Sequence, residues 1–503
     1  MNDAGPGLTL RTLRSMVWTG GGLAAETALQ AVVVMVLARL LTPPDFGLVS
    51  VALVVTGFVG SFGELGLIPA LIQRENLQPA HIRTAFTGGL AFALLMVAAL
   101  WVLSQPVARL FAMPALDSML CVLALSPLLR AWGSVPFALL QRAMRFREIS
   151  LASVLSYLVG FGVVGVAAAT AGGGAWSLVA AHLTQVFVHS LTVYLAWPVS
   201  HRLGVDRQAL RDLLAYGGGI SVARLANHVA TRGDNMIVGH ALGPTALGLY
   251  GPAYHLMALP ADLFQRLVHT VLFPAISRLQ TEPRRLAAVY RRGLAVTGLV
   301  VLPATLLAIL LAPEVVEVLL GPRWSGVTAP LQILAAGMFF RVGYKISGVV
   351  VKATGAVNRF AVRQIPYPIM VVSFAWVGTG WGIDGVAVGV VAALSVHYLL
   401  LTTLAMRVAG LTVRDYLGAH RSALLLAAAV SGQAWIAVAI VRALQLPGWA
   451  TLAAVGLSTS LTVAALIRWL PTPVLGTEGI WFRRSLASFL VRSTDHGGAV
   501  AQS

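Results

Sequence analysis

RLANHVATRGDNMIVG, residues 224–239, is the stretch on which the reading of this chain turns. It lies inside an otherwise apolar run from about 213 to 242. At about 1.5 Å rise per residue, such a run spans a bilayer as a helix. Yet it carries Arg224, Asn227, His228, Arg232, Asp234 and Asn235. Arg224, His228 and Arg232 fall at i, i+4 and i+8, along one side of a helix. A charge at mid-membrane costs about 2.5–3.5 kcal/mol even on the lenient insertion scale, so such residues face a bundle interior or a wet cavity. Two readings follow: a polar cavity, or an ion-pair network, Arg232 with Asp234 for example, that locks helices together.

Composition sets the class. Of 503 residues, 58% are hydrophobic and 11% charged, and the mean hydropathy is +0.83. No soluble globular class has this balance; the chain is an all-α polytopic membrane protein. The net charge of +17 does not indicate nucleic acid, because the basic residues sit mostly between apolar runs, where orientation signals belong. The single cysteine, Cys121, forms neither an intrachain disulfide nor a thiolate cluster and reads as a small buried hydrophobe. The N-terminal apolar run is longer than a signal-peptide core and reads as a retained first helix.

Hydropathy predicts about fourteen spans, at 15–39, 46–72, 84–104, 116–140, 149–171, 174–197, 211–241, 246–276, 289–312, 327–351, 361–380, 383–406, 421–444 and 448–469. With the N-terminus inside, twenty-five of the 35 basic residues fall in inside connections, which predicts cytoplasmic termini. The chain also repeats itself. LTPPDFGL (41–48) matches LGPTALGL (242–249), and Gly20–Gly22 has a counterpart in Gly217–Gly219. PVARLFAMP (106–114) matches PEVVEVLLGP (313–322), and 128–146 parallels 339–360, which sets Arg130 opposite Arg341. A period of six helices keeps both halves in one orientation, related by an axis along the membrane normal. The expected organisation is an N-lobe at 1–204 and a C-lobe at 205–410, pseudo-symmetric six-helix lobes. Two further helices follow at 411–472, then a cytoplasmic tail at 473–503. Within the tail, 478–492 is either an interfacial amphipathic helix or disordered.

No catalytic constellation, Walker-type phosphate loop or metal-ligand spacing occurs, so a non-enzymatic transporter without a cofactor is expected. Positive charge does recur within spans: Arg130, Arg224, Arg232, Arg266, Arg341 and Lys345. The acidic residues there are Glu26, Glu64, Asp234 and Asp262. An arginine excess suits an anionic substrate, since guanidinium binds phosphate oxygens in a fork. Arg130 and Arg341 serve either helix ends and gates or the substrate. Glu26, Glu64 and Asp262 are candidates for ion coupling. Glu64 is equally an inter-helix hydrogen bond, and Asp262 with Arg266 is equally an i, i+4 pair.

FGLVSVALVVTGFVGSFGELGLIPALIQRENL (46–77), LLQRAMRFREIS (139–150), GGGAWSLVAAHL (172–183), RGDNMIVGHALGPTALGLYGPAYHLMALP (232–260) and FPAISRLQ (273–280) resemble bacterial polysaccharide flippases of the Wzx type. These belong to the multidrug/oligosaccharidyl-lipid/polysaccharide exporter superfamily. The resemblance implies two lobes, alternating access, and movement of an undecaprenyl-pyrophosphate-linked oligosaccharide across the inner membrane for surface polysaccharide. It implies membrane lipids and a polysaccharide polymerase or export machinery as partners. It maps the family's Asp-Asn onto Asp234 and Asn235. A peptidoglycan-precursor flippase, a cation-drug antiporter and a non-transporting scaffold for glycan synthesis are the competing readings. The arginine excess argues against the antiporter.

Overall fold

The computed structural model describes residues 6–63, 67–74, 76–199, 202–267, 276 and 282–469. The side chains of 6–19, 61–63, 67, 214–225, 260, 262–267 and 466–469 lie outside that description. Glu64, the side chains of Arg224, Asp262 and Arg266, and the tail helix expected at 478–492 therefore lie outside the described residues.

The described residues hold helices and no strand. A backbone in hydrocarbon has to satisfy its own hydrogen bonds, and a helix does so within one segment. Eleven stretches among the described residues are long and apolar enough to cross a membrane. One of them, Val357–Ala409, reverses at Gly382, where φ is +68°. The helical segment Arg207–Leu267 is too polar to pass that test, and Gly243, at φ +84°, breaks it into two arms. Counting both reversals, the arrangement is consistent with the fourteen spans expected. Helix starts run earlier than hydropathy places them: Pro43–Gly63, Pro79–Leu110 and Pro283–Leu310 all begin on proline, which suits the first helical turn. The fifth span is a continuous rod in which a π-helical stretch, Leu158–Gly165, joins Phe146–Tyr157 to Val166–Thr170.

The chain forms two compact units, one of 1–251 with 319–324, the other of 252–318 with 325–503. In the first, Ala85, Phe86, Val135, Leu139 and Leu213 make a core that packs against partly buried Ile68 and Ile72. Arg142 closes the short helix Leu67–Gln73 by donating to the carbonyls of Leu71 and Ile72, 3.2 Å each. Trp324 is fully buried in this unit; its Nε1 donates to the Ala38 carbonyl at 2.8 Å and its ring meets Phe46 edge-on at 5.1 Å. In the second, Leu286, Tyr290, Leu294, Ile346 and Val349 anchor a core with Leu404 and Ala405. There Arg442 reaches buried Glu314 through two nitrogens, at 2.6 and 2.8 Å.

The repeated octapeptides meet inside the first unit. Thr42 opens the helix Pro43–Gly63, and its N–H and hydroxyl donate to Asp45 Oδ2 at 2.9 and 2.6 Å. A Cβ on Gly47 would overlap the Pro244 carbonyl oxygen, and a Cβ on Gly248 would overlap that of Pro43. In the repeat Gly47 corresponds to Gly248 and Pro43 to Pro244, so the contact is reciprocal, as across a two-fold axis.

Substituting either glycine forces backbone apart. Gly47→Ala and Gly248→Ala should each lower stability by about 1–3 kcal/mol. Because both sit in one contact, the double variant should cost clearly less than the sum. Thermal unfolding in detergent tests this; additive losses would count against a shared contact.

Candidate functional site

The helical arm 207–242 carries six of the polar residues singled out above. In the structure they take three different environments. Asp234 and Asn235 are buried. Asp234 Oδ2 accepts from the hydroxyl of fully buried Tyr250 at 2.8 Å, and Oδ1 accepts from the Asn235 N–H at 2.8 Å. That carboxylate ties the arm before Gly243 to the arm after it and is not turned toward a substrate. His228 packs on the helix Pro43–Gly63: a Cβ on Gly57 would stand 2.9 Å from its Cε1, and its ring lies 6.4 Å from that of Phe58. Its Nε2 is buried without a hydrogen-bond partner. Asn227 and Arg232 are exposed. Among the described residues no carboxylate pairs with Arg232, so the Arg232–Asp234 network is not what holds this helix.

One turn beyond Arg232, Met236 lines a cleft of about 440 Å³ with Val55, Phe58, Phe92, Met96 and Phe111. Every lining residue is apolar. The helix face that begins with an unneutralised guanidinium thus runs directly into an apolar slot.

The remaining site residues fall in other places. Arg130, exposed, lies beside His182 and His189 of the helix Ala175–Ala196. Arg341, its partner in the repeat, is buried; its Nη1 donates to the Tyr254 hydroxyl at 2.8 Å, and its guanidinium lies 5.2 Å over that ring. The matched pair therefore sits in different surroundings: Arg341 is buried against a tyrosine ring and hydroxyl, and Arg130 is exposed. Lys345 is half-buried one turn further along. Glu26 is half-buried and accepts from Gln30 Nε2 at 3.3 Å. Among the described residues no group of three or more metal-ligating side chains converges.

Hydropathy alone does not reveal His397. It is fully buried in the helix Gly382–Ala409, stacked on Tyr367 at 4.3 Å and edge-on to Tyr344 at 4.8 Å. Neither ring nitrogen has a hydrogen-bond partner. Arg341 stands one turn before Tyr344 on the helix Met338–Ala353, and its Nε is also unpartnered. A lone histidine in an apolar run carries no sequence signal that separates this arrangement from ordinary core.

Comparison with known proteins follows the same line. Residues 36–329, more than half of the chain, match the family model described as polysaccharide biosynthesis protein, and the chain belongs to that family. It is 28% identical over 322 residues to the succinoglycan biosynthesis transport protein ExoT of Rhizobium meliloti, covering 64% of this chain and 65% of that protein. It is 23% identical to the lipopolysaccharide biosynthesis protein WzxC of Escherichia coli, covering 67% and 69%. The chain thus spans about two thirds of the length of these relatives. Its fold is that of the lipid II flippase MurJ in an inward closed conformation, with a TM-score of 0.66 at 12% identity over 92% of this chain and 98% of that one. An inward-facing multidrug resistance transporter, itself of the MOP superfamily, gives 0.59 at 15% identity, over 76% and 95%. The all-helical membrane fold expected from the sequence is the fold found.

Replacing His397 by phenylalanine removes two unsatisfied buried nitrogens and keeps the stacking on Tyr367. The expected outcome is a gain of about 1–3 kcal/mol in stability, read as a higher melting temperature in detergent. A lower melting temperature would mean that the imidazole has a polar partner in the folded protein.

Proposed function

We propose that this member of the polysaccharide biosynthesis family is a flippase. It moves a polyprenyl-pyrophosphate-linked oligosaccharide from the cytoplasmic to the outer face of the bacterial inner membrane, by alternating access. The observation that carries the reading is the face of the arm 207–242. Exposed, unneutralised Arg232 stands one turn from the apolar cleft lined by Met236. A lipid-linked sugar has the same order: a doubly charged phosphate group followed by a hydrocarbon chain. Guanidinium supplies bidentate recognition of the first and loses its own mid-membrane penalty on pairing. The apolar cleft suits the second.

In this reading Arg224 joins Arg232 at the pyrophosphate, with Asn227 and His228 flanking. Asp234, held by Tyr250, keeps the break at Gly243 in shape. Arg130, Arg266, Arg341 and Lys345 add to the positive field. The lobes 1–204 and 205–410 rock against each other, while the helices of 411–472 and the tail 473–503 lie outside the repeat. The protein is a secondary transporter with both termini cytoplasmic, and the arginine-rich connections support that orientation. Glu26, Glu64 and Asp262 are its candidates for ion coupling. A glycan polymerase or export complex takes up the product. A cation-drug antiporter would need an accessible carboxylate in the cavity, and Asp234 is spent on Tyr250.

Arg224→Gln and Arg232→Gln should each abolish transport while the protein remains in the membrane. Mass spectrometry of extracted lipids should then show the polyprenyl-linked repeat unit building up, and surface polysaccharide should disappear. Normal surface polymer in both variants would overturn the proposal.

A further inference from the structure

The second unit holds a cavity of about 250 Å³ lined by Arg359, Arg363, Arg407, Leu404 and Val408. Three of its five walls are guanidinium groups, and among the described residues none of them has a carboxylate partner. Arg359 and Arg363 stand one turn apart on the helix Val357–Gln364. Arg407 comes from the last turn of Gly382–Ala409. Arg363 is fixed in place: its Nη1 donates to the Leu400 carbonyl at 2.5 Å. The floor is part of the folded core, with Leu404 buried and Val408 packed against the same cluster. Lys352 adds a further cation nearby, 5.3 Å over the Phe360 ring.

A cation near the carbonyl end of a helix needs no ligand to account for it, and Arg407 alone fits that description. The same account does not reach Arg359 and Arg363, which come from another helix to the same cavity. Three like charges around one void repel one another, and an anion inside it removes the repulsion. The surroundings say what kind of anion. Val362, Ile365 and Ile369 follow at i, i+3 and i+7 beside the arginine row, and are 67%, 63% and 61% exposed. On a membrane helix such a row faces acyl chains. The charged cavity lies at the open end of the helical hairpin that turns at Gly382.

We propose that Arg359, Arg363 and Arg407 bind the phosphate of a membrane lipid, with its hydrocarbon chain lying along Val362, Ile365 and Ile369. The site is separate from the face around Arg232 and does not depend on the transport reading. Two lipids share the chemistry, a resident anionic phospholipid and a polyprenyl diphosphate.

The test uses the full chain in phosphatidylcholine nanodiscs, titrated with phosphatidylglycerol, undecaprenyl diphosphate or inorganic pyrophosphate. Retention is read by native mass spectrometry. Arg359→Gln, Arg363→Gln and Arg407→Gln are compared singly and together with a control of equal charge, Arg83→Gln, Arg207→Gln and Arg211→Gln. Binding should weaken roughly fivefold per arginine and on the order of a hundredfold for the triple variant. The control should match wild type. Preference for phosphatidylglycerol supports a resident lipid, and preference for undecaprenyl diphosphate supports a substrate-lipid site. Lipid binding by the triple variant within twofold of wild type overturns the proposal. So does inorganic pyrophosphate binding as tightly as either lipid. Should the triple variant fail to fold, exposed Arg359→Gln and Arg407→Gln carry the same test singly.

Discussion

The contact on which the first unit depends is backbone against backbone. Gly47 meets the Pro244 carbonyl and Gly248 meets that of Pro43, with no room for a methyl group on either side. In hydrocarbon there is no hydrophobic drive to press helices together, so close approach of small residues does that work. Around this crossing the other tethers of the unit gather: the Thr42–Asp45 cap, the Tyr250–Asp234 bond across the break at Gly243, and the Trp324 indole on Ala38. The cap and the indole each hold a helix end where regular hydrogen bonding stops and something else has to satisfy the backbone.

Charge is distributed with matching economy. Three carboxylates within described helices are occupied by side-chain partners: Asp234 by Tyr250, Glu26 by Gln30, Glu314 by Arg442. Several arginines are not. Arg232 stands exposed beside an apolar cleft, and Arg359, Arg363 and Arg407 ring a void. As proposed, these guanidiniums meet phosphate at two sites, one in each unit.

Much of the fold was legible because membrane helices announce themselves by length and hydropathy, and because the repeat ties 41–48 to 242–249. What hydropathy missed has physical causes. Helices begin before their apolar runs, because Pro43, Pro79 and Pro283 start them in polar sequence. At the site, the i, i+4 row of His228 and Arg232 is true helix geometry, but packing divides it: His228 is pinned on Gly57 and Phe58 while Arg232 is left open. Periodicity records direction around one helix and nothing about the neighbour it meets. For the same reason the His397 stack on Tyr367 was invisible, and Arg359, Arg363 and Arg407 read only as orientation signals. Their convergence depends on how two helices pack.

The tryptophan of the first unit has a consequence for how the protein is made. Trp324 fills its slot beside Ala38 and Phe46 across a sequence separation of 286 residues. Chains emerge from the ribosome at about 5–20 residues per second, and early segments begin to assemble first. The opening helices therefore enter the bilayer with a buried position still vacant, and wait tens of seconds for its occupant. Completion of the first unit is a late event in biogenesis, and during that interval its unfinished surface depends on lipid or on the insertion machinery for cover.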